Sequence, residues 1–339
     1  MRLLICLFAV AATIIVAPPS FAQKIEKRQI RSSVLNEKRP VLISKPEQWD
    51  GKSHKLPVLI LLDAEEHMPF IAALANSHSD YGYASQDPFP DMLVVGVPNT
   101  NRSRDMSTAP QDGMPNGTAE LFLRFIETEL IPFIEEDYHV STYRTVCAHS
   151  ASGEFAVFTM AQSPDLFDGY FLAEPSIDAR DYELADRIGA TMRTGALDET
   201  RICMSVAGQL HHFRLGAAKL AAVFEHADEE NRRQTQEFVT ETHYTVPVMT
   251  FHYGVRHIFA EALAPDPVVS KGLNAVLAHR ADYCARVGCD ALLPRAQAER
   301  VAKFQTGRGD YEEAIKAWEY YRTNYPNLPQ PYYGLADAQ

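Results

Sequence analysis

The sequence predicts an α/β fold built on a mainly parallel sheet, and three observations carry the prediction. Short runs that are apolar on both faces recur along the chain, and stretches with helical apolar spacing separate them. The composition is that of a globular protein, with 46% hydrophobic and 22% charged residues among 339. Strands covered by helices on each side must be apolar all round, and these runs have that character. The length suits one large domain with a smaller appendage.

The elements follow in order. Arg2, the apolar run Leu3 to Pro18 and the small residues of Ser20-Phe21-Ala22 form an export signal, with cleavage expected before Gln23. The run is short for a membrane span and no other uncharged run reaches spanning length. The chain therefore divides into a signal at 1–22, a main domain at 23–280 and a helical tail at 281–339, with a periplasmic or secreted location and no membrane contact after cleavage. Residues 24–46 read as two antiparallel strands turning at Asn36-Glu37-Lys38. Buried strands follow at Pro57–Leu62, Met92–Val97, Arg144–Ala148, Gly169–Ala173, Ile202–Ala207 and Val246–Phe251. Helices lie between them at Ala119–Glu136, Glu154–Gln162 and Leu215–His226; the first carries Leu121, Phe122, Phe125, Ile126, Leu130 and Phe133 on one face.

Beyond residue 280 the strand signal stops. Pro294–Arg308 and Tyr311–Tyr325 read as helices joined at Gly309-Asp310, and a third helical pattern starts at Pro331. Gly309 to Ile315, followed by Tyr325-Pro326, resembles a tetratricopeptide repeat, with too few copies for a solenoid. These helices either pack on the main domain or offer a short surface for a protein partner or self-association.

Charge and cysteine content exclude some functions. With 44 acidic against 32 basic side chains the formal charge is −12, which lacks the basic footprint of a general nucleic-acid binder. Cys147 and Cys203 sit in apolar runs and read as core residues. Cys284 and Cys289 can pair if a helix ends near Gly288; two semi-buried thiols are the alternative. No C-x-x-C pair or histidine-rich set points to a metal, and no cofactor is expected.

The residues able to do chemistry centre on Val146-Cys147-Ala148-His149-Ser150-Ala151-Ser152-Gly153. A strand enters, a tight turn puts Ser150 at its tip, and a helix leaves: the layout of a nucleophile elbow. The usual G-x-S-x-G pattern has glycine where Ala148 and Ser152 stand here, yet both are small enough for the turn. A helix-capping serine is the plainer reading of the same residues. In α/β-hydrolases the base comes last in the chain, after the final strand, and His257 occupies that place after Val246–Phe251. His252 falls within the strand run and reads as structural, His149 points away from its neighbour, and His211 and His212 line the pocket or face solvent.

Together these segments resemble the esterase family of α/β-hydrolases that takes in esterase D-like enzymes, siderophore esterases and mycolyltransferase-like proteins. The resemblance spans about residues 25–280. It rests on Pro57 to Asp63, on Val94 to Asn99 with Arg102 to Asp105, on Glu129 to Glu135, on Ala148 to Gly153, on Ser163 to Phe167, on Pro175-Ser176, and on Lys271-Gly272-Leu273. It implies an α/β-hydrolase fold with Ser150 as nucleophile and His257 as base. It also implies an oxyanion hole made by the backbone N–H of Ala151 and one from the turn near Ala64 or Glu65, each donor stabilising the intermediate by about 3 kcal/mol. The family usually has glycine where Ala64 stands, so a positive φ there would strain the alanine.

The acid is where the chain departs from the pattern. A carboxylate is expected after the fifth long strand, but Gly208 to Phe213 holds none, and Glu225 and Asp228 lie a helix away. The end of the preceding strand offers Glu174, taken here as the acid, with a pocket-lining charge as its alternative. Arg102, Arg104 and Asp105 read as an ion pair that shapes a loop at the ligand-binding edge of the sheet.

The resulting expectation is an exported serine carboxylic ester hydrolase acting on a small-molecule ester. Acyl transfer to an alcohol would use the same residues. An esterase-like binding protein with weakened catalysis is the reading from another class, favoured by the missing acid and the altered elbow.

Overall fold

The computed structural model describes residues 24–46, 49, 51–52, 55–77, 90–110, 114, 117–178, 182–208, 211–226, 232–289 and 291–338; the expected export signal lies outside them. Eight strands among these residues pair into one sheet: β1 (Ile25–Ser32), β2 (Glu37–Ser44), β3 (Leu56–Leu62), β4 (Leu93–Val97), β5 (Val140–His149), β6 (Gly169–Ala173), β7 (Arg201–Ala207) and β8 (Arg233–Phe238). Side by side they run β1-β2-β4-β3-β5-β6-β7-β8. β1 and β2 form an antiparallel hairpin, β2 meets β4 antiparallel, and every pair from β4 to β8 is parallel. The hairpin turn lies at residues 33–36, two to three residues earlier than expected. Asn36 closes it with φ 53°, a left-handed conformation that asparagine tolerates.

The connections are α1 (Ala64–Ser77), α2 (Arg102–Met106), α3 (Ala119–Phe125), α4 (Ile131–Asp137), α5 (Ala151–Gln162), α6 (Glu183–Met192), α7 (His211–His226) and α8 (Val246–Ile258). A π-turn over Ile126–Leu130 joins α3 to α4 in one continuous rod. Pro132, in the first turn of α4, has no N–H to give the preceding turn, and the wider turn absorbs that loss. After the sheet come α9 (Asp266–Val269), α10 (Leu273–Val287), α11 (Arg295–Arg308), α12 (Tyr311–Asn324) and α13 (Gln330–Ala338).

Alternation along β3 shows why its run had to be apolar throughout. Val58, Ile60 and Leu62 enter a core with Phe122, Phe125, Phe155 and Phe158, whereas Leu59 and Leu61 enter another with Met68, Ile71, Phe251 and Val255. Every residue of β3, β4 and β6 is buried. Burying a side chain of this size contributes about 1.5–3 kcal/mol, so these strands anchor the sheet.

One expected strand is a helix. Val246–Phe251 opens α8, whose Val246, Thr250, Phe251, Gly254, Val255 and Ile258 are buried at helical spacing. Pro247 sits in the first turn, where its missing N–H costs nothing. The eighth strand is instead Arg-Gln-Thr-Gln-Glu-Phe at β8, a polar edge strand paired on one side with β7. Its charges suit an exposed edge and hide it from a search for apolar runs.

The tail is tied into what precedes it. The expected boundary at residue 280 falls inside α10, which is continuous from Leu273 to Val287. Ala264, Val269, Leu273 and Val276 share a core with Val301, Trp318, Tyr321 and Leu335 from α11, α12 and α13. Cys284 bonds to Cys289 in a disulfide, made possible because α10 ends at Gly288 in the left-handed conformation, φ 72°. Cys147 and Cys203 are buried free thiols.

Arg39 on β2 is fully buried with its guanidinium 2.6 Å from the equally buried Asp105 and 3.0 Å from Glu37. Its cation stands 5.1 Å from the Phe122 ring. Arg104 pairs with both Asp105 and Glu37, and its hydrogen bonds to Glu37 hold that carboxyl down to about 2. The expected Arg104–Asp105 ion pair is thus one part of a network that fastens the α2 loop to the hairpin. Replacing Arg39 by alanine removes the fully buried cation facing Asp105 and leaves the part-exposed Arg104 as that carboxylate's remaining ion-pair partner. Equilibrium urea unfolding of Arg39→Ala should show a loss of about 3–5 kcal/mol; an unchanged midpoint would assign the network no structural weight.

Candidate active site

Three adjacent strands of the sheet, β3, β5 and β6, are each followed at once by a non-glycine residue with positive φ: Asp63 at 50°, Ser150 at 59° and Glu174 at 40°. Such a conformation costs on the order of 1–3 kcal/mol and persists only when its surroundings enforce it. At Ser150 the enforcement is explicit. Its N–H donates to the Ala173 carbonyl at 3.0 Å, and its own carbonyl accepts from Glu154 and Ser176, both at 3.0 Å. Ser150 thereby stands at a sharp corner between β5 and α5, its ψ of −119° turning the side chain outward at the C-terminal edge of the sheet. Gly153 permits the corner, since a Cβ there would lie 2.8 Å from the Pro175 backbone.

Register places Glu174 beside the serine. His149 pairs with Ala173 across β5 and β6, so the next residues, Ser150 and Glu174, emerge as neighbours. Glu174 is completely buried, and both its oxygens are used: Oε1 accepts from the Ala207 N–H at 2.6 Å, and Oε2 lies 2.7 Å from Nδ1 of His243. His243 comes from the segment between β8 and α8. Its ring packs against His149 with centroids 4.3 Å apart and meets Tyr244 edge-on at 5.5 Å. Tyr244 itself is 79% exposed, an aromatic ring at the rim.

His257 is not part of this group. Because Val246–Ile258 is a helix running back along the sheet, its last turn reaches the opposite edge, where Ile258 covers Gly169 at the start of β6. His257 holds the Arg232 carbonyl through Nε2 at 2.8 Å, and its own carbonyl accepts from Arg201, the first residue of β7. The five residues of β6 separate it from the serine edge by roughly 16 Å. The structure therefore does not bring His257, the base expected from the sequence, to the serine edge; the histidine beside Glu174 there is His243. His252 lies on α8 as well, with its carbonyl accepting from Arg256. His211 belongs to α7.

The turn after β3 faces the elbow. Asp63 accepts from Ser152 Oγ at 2.7 Å, from Asn99 Nδ2 at 2.7 Å and from Arg102 through Nε and Nη2 at 2.8 and 2.9 Å. Burial alone would raise this carboxyl, but the Arg102 cation with the Asn99 and Ser152 hydrogen bonds outweighs it and holds the group below its ordinary value. Arg102 also reaches the His149 carbonyl at 3.3 Å. Ser152 is thus more than a small filler: its hydroxyl receives the His149 N–H and links the elbow to the β3 turn. The positive φ falls on Asp63, while Ala64 takes ordinary helical backbone at the start of α1, relieving the strain expected at the alanine. The N–H groups of Ala64 and Glu65 open α1 as that of Ala151 opens α5, so both turns present first-turn donors. Among the described residues, no group of three or more His, Cys, Asp or Glu side chains is arranged to hold a metal ion, and no helix is long and apolar enough to cross a membrane.

A parallel sheet bearing a serine corner on β5, a Glu–His pair beside it and helices on both faces defines an α/β-hydrolase fold. Residues 32–181 match the family model described as Putative esterase. The chain is 36% identical over 99 residues to the ferri-bacillibactin esterase BesA of Bacillus subtilis, an alignment covering 28% of this chain and 34% of that relative, about a third of its length. Among solved structures, an IroE-like serine hydrolase from Shewanella oneidensis superposes with a TM-score of 0.70 at 20% identity, covering 88% of this chain and 99% of that one. The siderophore hydrolase EstB from Aspergillus nidulans gives a TM-score of 0.58 at 18% identity, covering 71% of this chain and 95% of that one.

His243 escaped the sequence reading because β8 did. Had the polar alternation at Arg233–Phe238 been taken as the final strand, the next histidine would have been His243, in the loop where the fold places a base.

His149 is 5% exposed, and burial first, then its neighbours His243 and His67, hold its pKa down to about 3 against an ordinary 6.5. Between those values the unfolded chain takes up a proton that the folded one refuses, so stability falls as pH drops below about 6.5. His149→Phe removes that proton uptake. Melting curves from pH 6.5 to 4 should show a shallower decline for the variant, the parent losing up to about 1.4 kcal/mol more per pH unit. Parallel declines would place the acid sensitivity elsewhere.

Proposed function

We propose that this chain is an exported serine carboxylic ester hydrolase in which Ser150 is the nucleophile, His243 the base and Glu174 the acid. The observation that carries the reading is the buried Glu174–His243 pair at 2.7 Å, set on the same sheet edge as a serine held at positive φ. Glu174 fixes Nδ1 of the imidazole, so Nε2 is the nitrogen that takes the Ser150 proton. The serine oxygen attacks the ester carbonyl, and the tetrahedral oxygen is received by the N–H groups of Ala151 and Glu65. His243 returns the proton to the departing alcohol, and a water, deprotonated by the same nitrogen, releases the acid.

The match of residues 32–181 supports ester hydrolysis, and the relatives named as a ferri-bacillibactin esterase and a siderophore hydrolase make a siderophore ester the substrate class to try first. The exposed Tyr244 beside His243 gives an aromatic acyl group a ring to lie against. The export signal read at residues 1–22 and the Cys284–Cys289 disulfide both suit an oxidising compartment. An acid in the relay also weighs against a binding protein with weakened catalysis, which the apparent lack of a carboxylate had favoured.

Treatment of the mature protein with a fluorophosphonate should label Ser150, as read by peptide mass spectrometry. Ser150→Ala and His243→Ala should abolish labelling, and His257→Ala should label at the parental rate. Glu174→Gln should lower kcat on a soluble ester about 10²–10⁴-fold, the range set by losing the group that orients the imidazole. A folded parent with unlabelled Ser150 would overturn the reading.

A further inference from the structure

Ser176 stands two residues beyond the Glu174 acid, on the same short loop, and it touches the proposed nucleophile twice. Its N–H donates to the Ser150 carbonyl at 3.0 Å, and its Oγ lies 3.3 Å from Ser150 Oγ. Pro175 between them is pressed against the start of α5 at Gly153, so the loop has little room to withdraw its hydroxyl. One tripeptide therefore reaches both ends of the Ser–His relay: Glu174 holds His243, and Ser176 meets Ser150.

We propose that Ser176 is a catalytic residue that donates its hydroxyl proton in a hydrogen bond to Ser150 Oγ and thereby promotes breakdown of the acyl-enzyme. The inference rests on the serine-esterase reading above. In the resting enzyme Ser150 Oγ donates its own proton toward His243 and accepts from Ser176 through a lone pair. In the acyl-enzyme the same oxygen is the bridging oxygen of an ester, a poor acceptor, and the contact is weak. Deacylation then proceeds by water giving a proton to His243 while its oxygen bonds to the acyl carbon. The C–Oγ bond breaks, the electron pair stays on Oγ, and the His243 proton passes to it; the product leaves as the free carboxylic acid.

As that bond breaks, negative charge grows on Oγ, and the Ser176 bond shortens and strengthens. A contact that is weak in the ground state and strong in the transition state accelerates its step. Acylation gains less, because the free hydroxyl of Ser150 is already a good acceptor before it attacks. The role of Ser176 is thus weighted toward the second half of turnover. A residue that merely shaped the loop would slow both halves alike.

Stopped-flow hydrolysis of p-nitrophenyl acetate by the full mature protein separates the two. Ser176→Ala should release a burst of nitrophenolate close to one equivalent per active serine, then turn over on the order of 10-fold more slowly than the parent. KM should fall with kcat, leaving kcat/KM within about twofold. Ser176→Thr keeps the hydroxyl and should restore parental turnover. Ser176→Gly serves as the second removal variant should Ser176→Ala melt below assay temperature. Parental kcat in the removal variants, or kcat and kcat/KM reduced together without a burst, would overturn the assignment. A parent that neither hydrolyses the ester nor takes up fluorophosphonate would instead overturn the esterase reading, a result the labelling of Ser150 tells apart.

Discussion

The buried carboxylate of Asp63 is the interaction on which the rest of the site depends. It lies at the end of β3 and gathers Arg102, Asn99 and Ser152, three side chains from two other strand ends. A carboxylate buried to this degree persists as an ion only when its lone pairs are used and a cation stands beside it. Arg102 supplies the cation, and its further bond to the His149 carbonyl binds the same cluster to the elbow. The two turns whose N–H groups would receive an oxyanion are consequently one rigid unit. Preorganised donors of this kind stabilise developing charge without reorganising when it appears.

Strain and its containment recur along the functional edge. Asp63, Ser150 and Glu174 all depart from the preferred backbone at the moment their strands end, and the three strands are neighbours. Each residue is over-determined from outside: Asp63 by its side-chain partners, Ser150 by backbone bonds to Ala173, Glu154 and Ser176, Glu174 by bonds to Ser205 and Ala207. The fully buried strands beneath contribute the burial that lets the edge hold these conformations.

Much of this could be read from residues alone, for physical reasons. Strands buried on both faces must be apolar throughout, so β3, β4, β6 and β7 announced themselves, and the corner at Ser150 was marked by the strand before it and the helix after. Glu174 was reachable because topology allows an acid at only two strand ends and the other holds no carboxylate. What could not be read was β8. An edge strand needs only one bonded neighbour and tolerates charge, so Arg233–Phe238 carries little hydrophobic signal. The apolar start of α8, also buried, took its place, and the misplacement put the expected base at His257 rather than at His243, the histidine that follows β8. Six apolar residues in a row do not distinguish a strand from the buried side of a helix. The partners of Asp63 were equally hidden, since contacts between distant strand ends leave no local pattern.

The location of the proposed acid, directly after β6, has a consequence for how this scaffold can change. Where a relay draws its carboxylate from the loop after β7, that loop must keep both its length and its shape. In the relay proposed here, the contact described from the end of β7 is the Ala207 backbone N–H, at the last position of the strand itself. A carboxylate taken from the end of β6 asks for no proton-transfer group from the chain after Ala207. Insertions and substitutions there would leave the Glu174–His243 pair in place as long as the Ala207 N–H is kept.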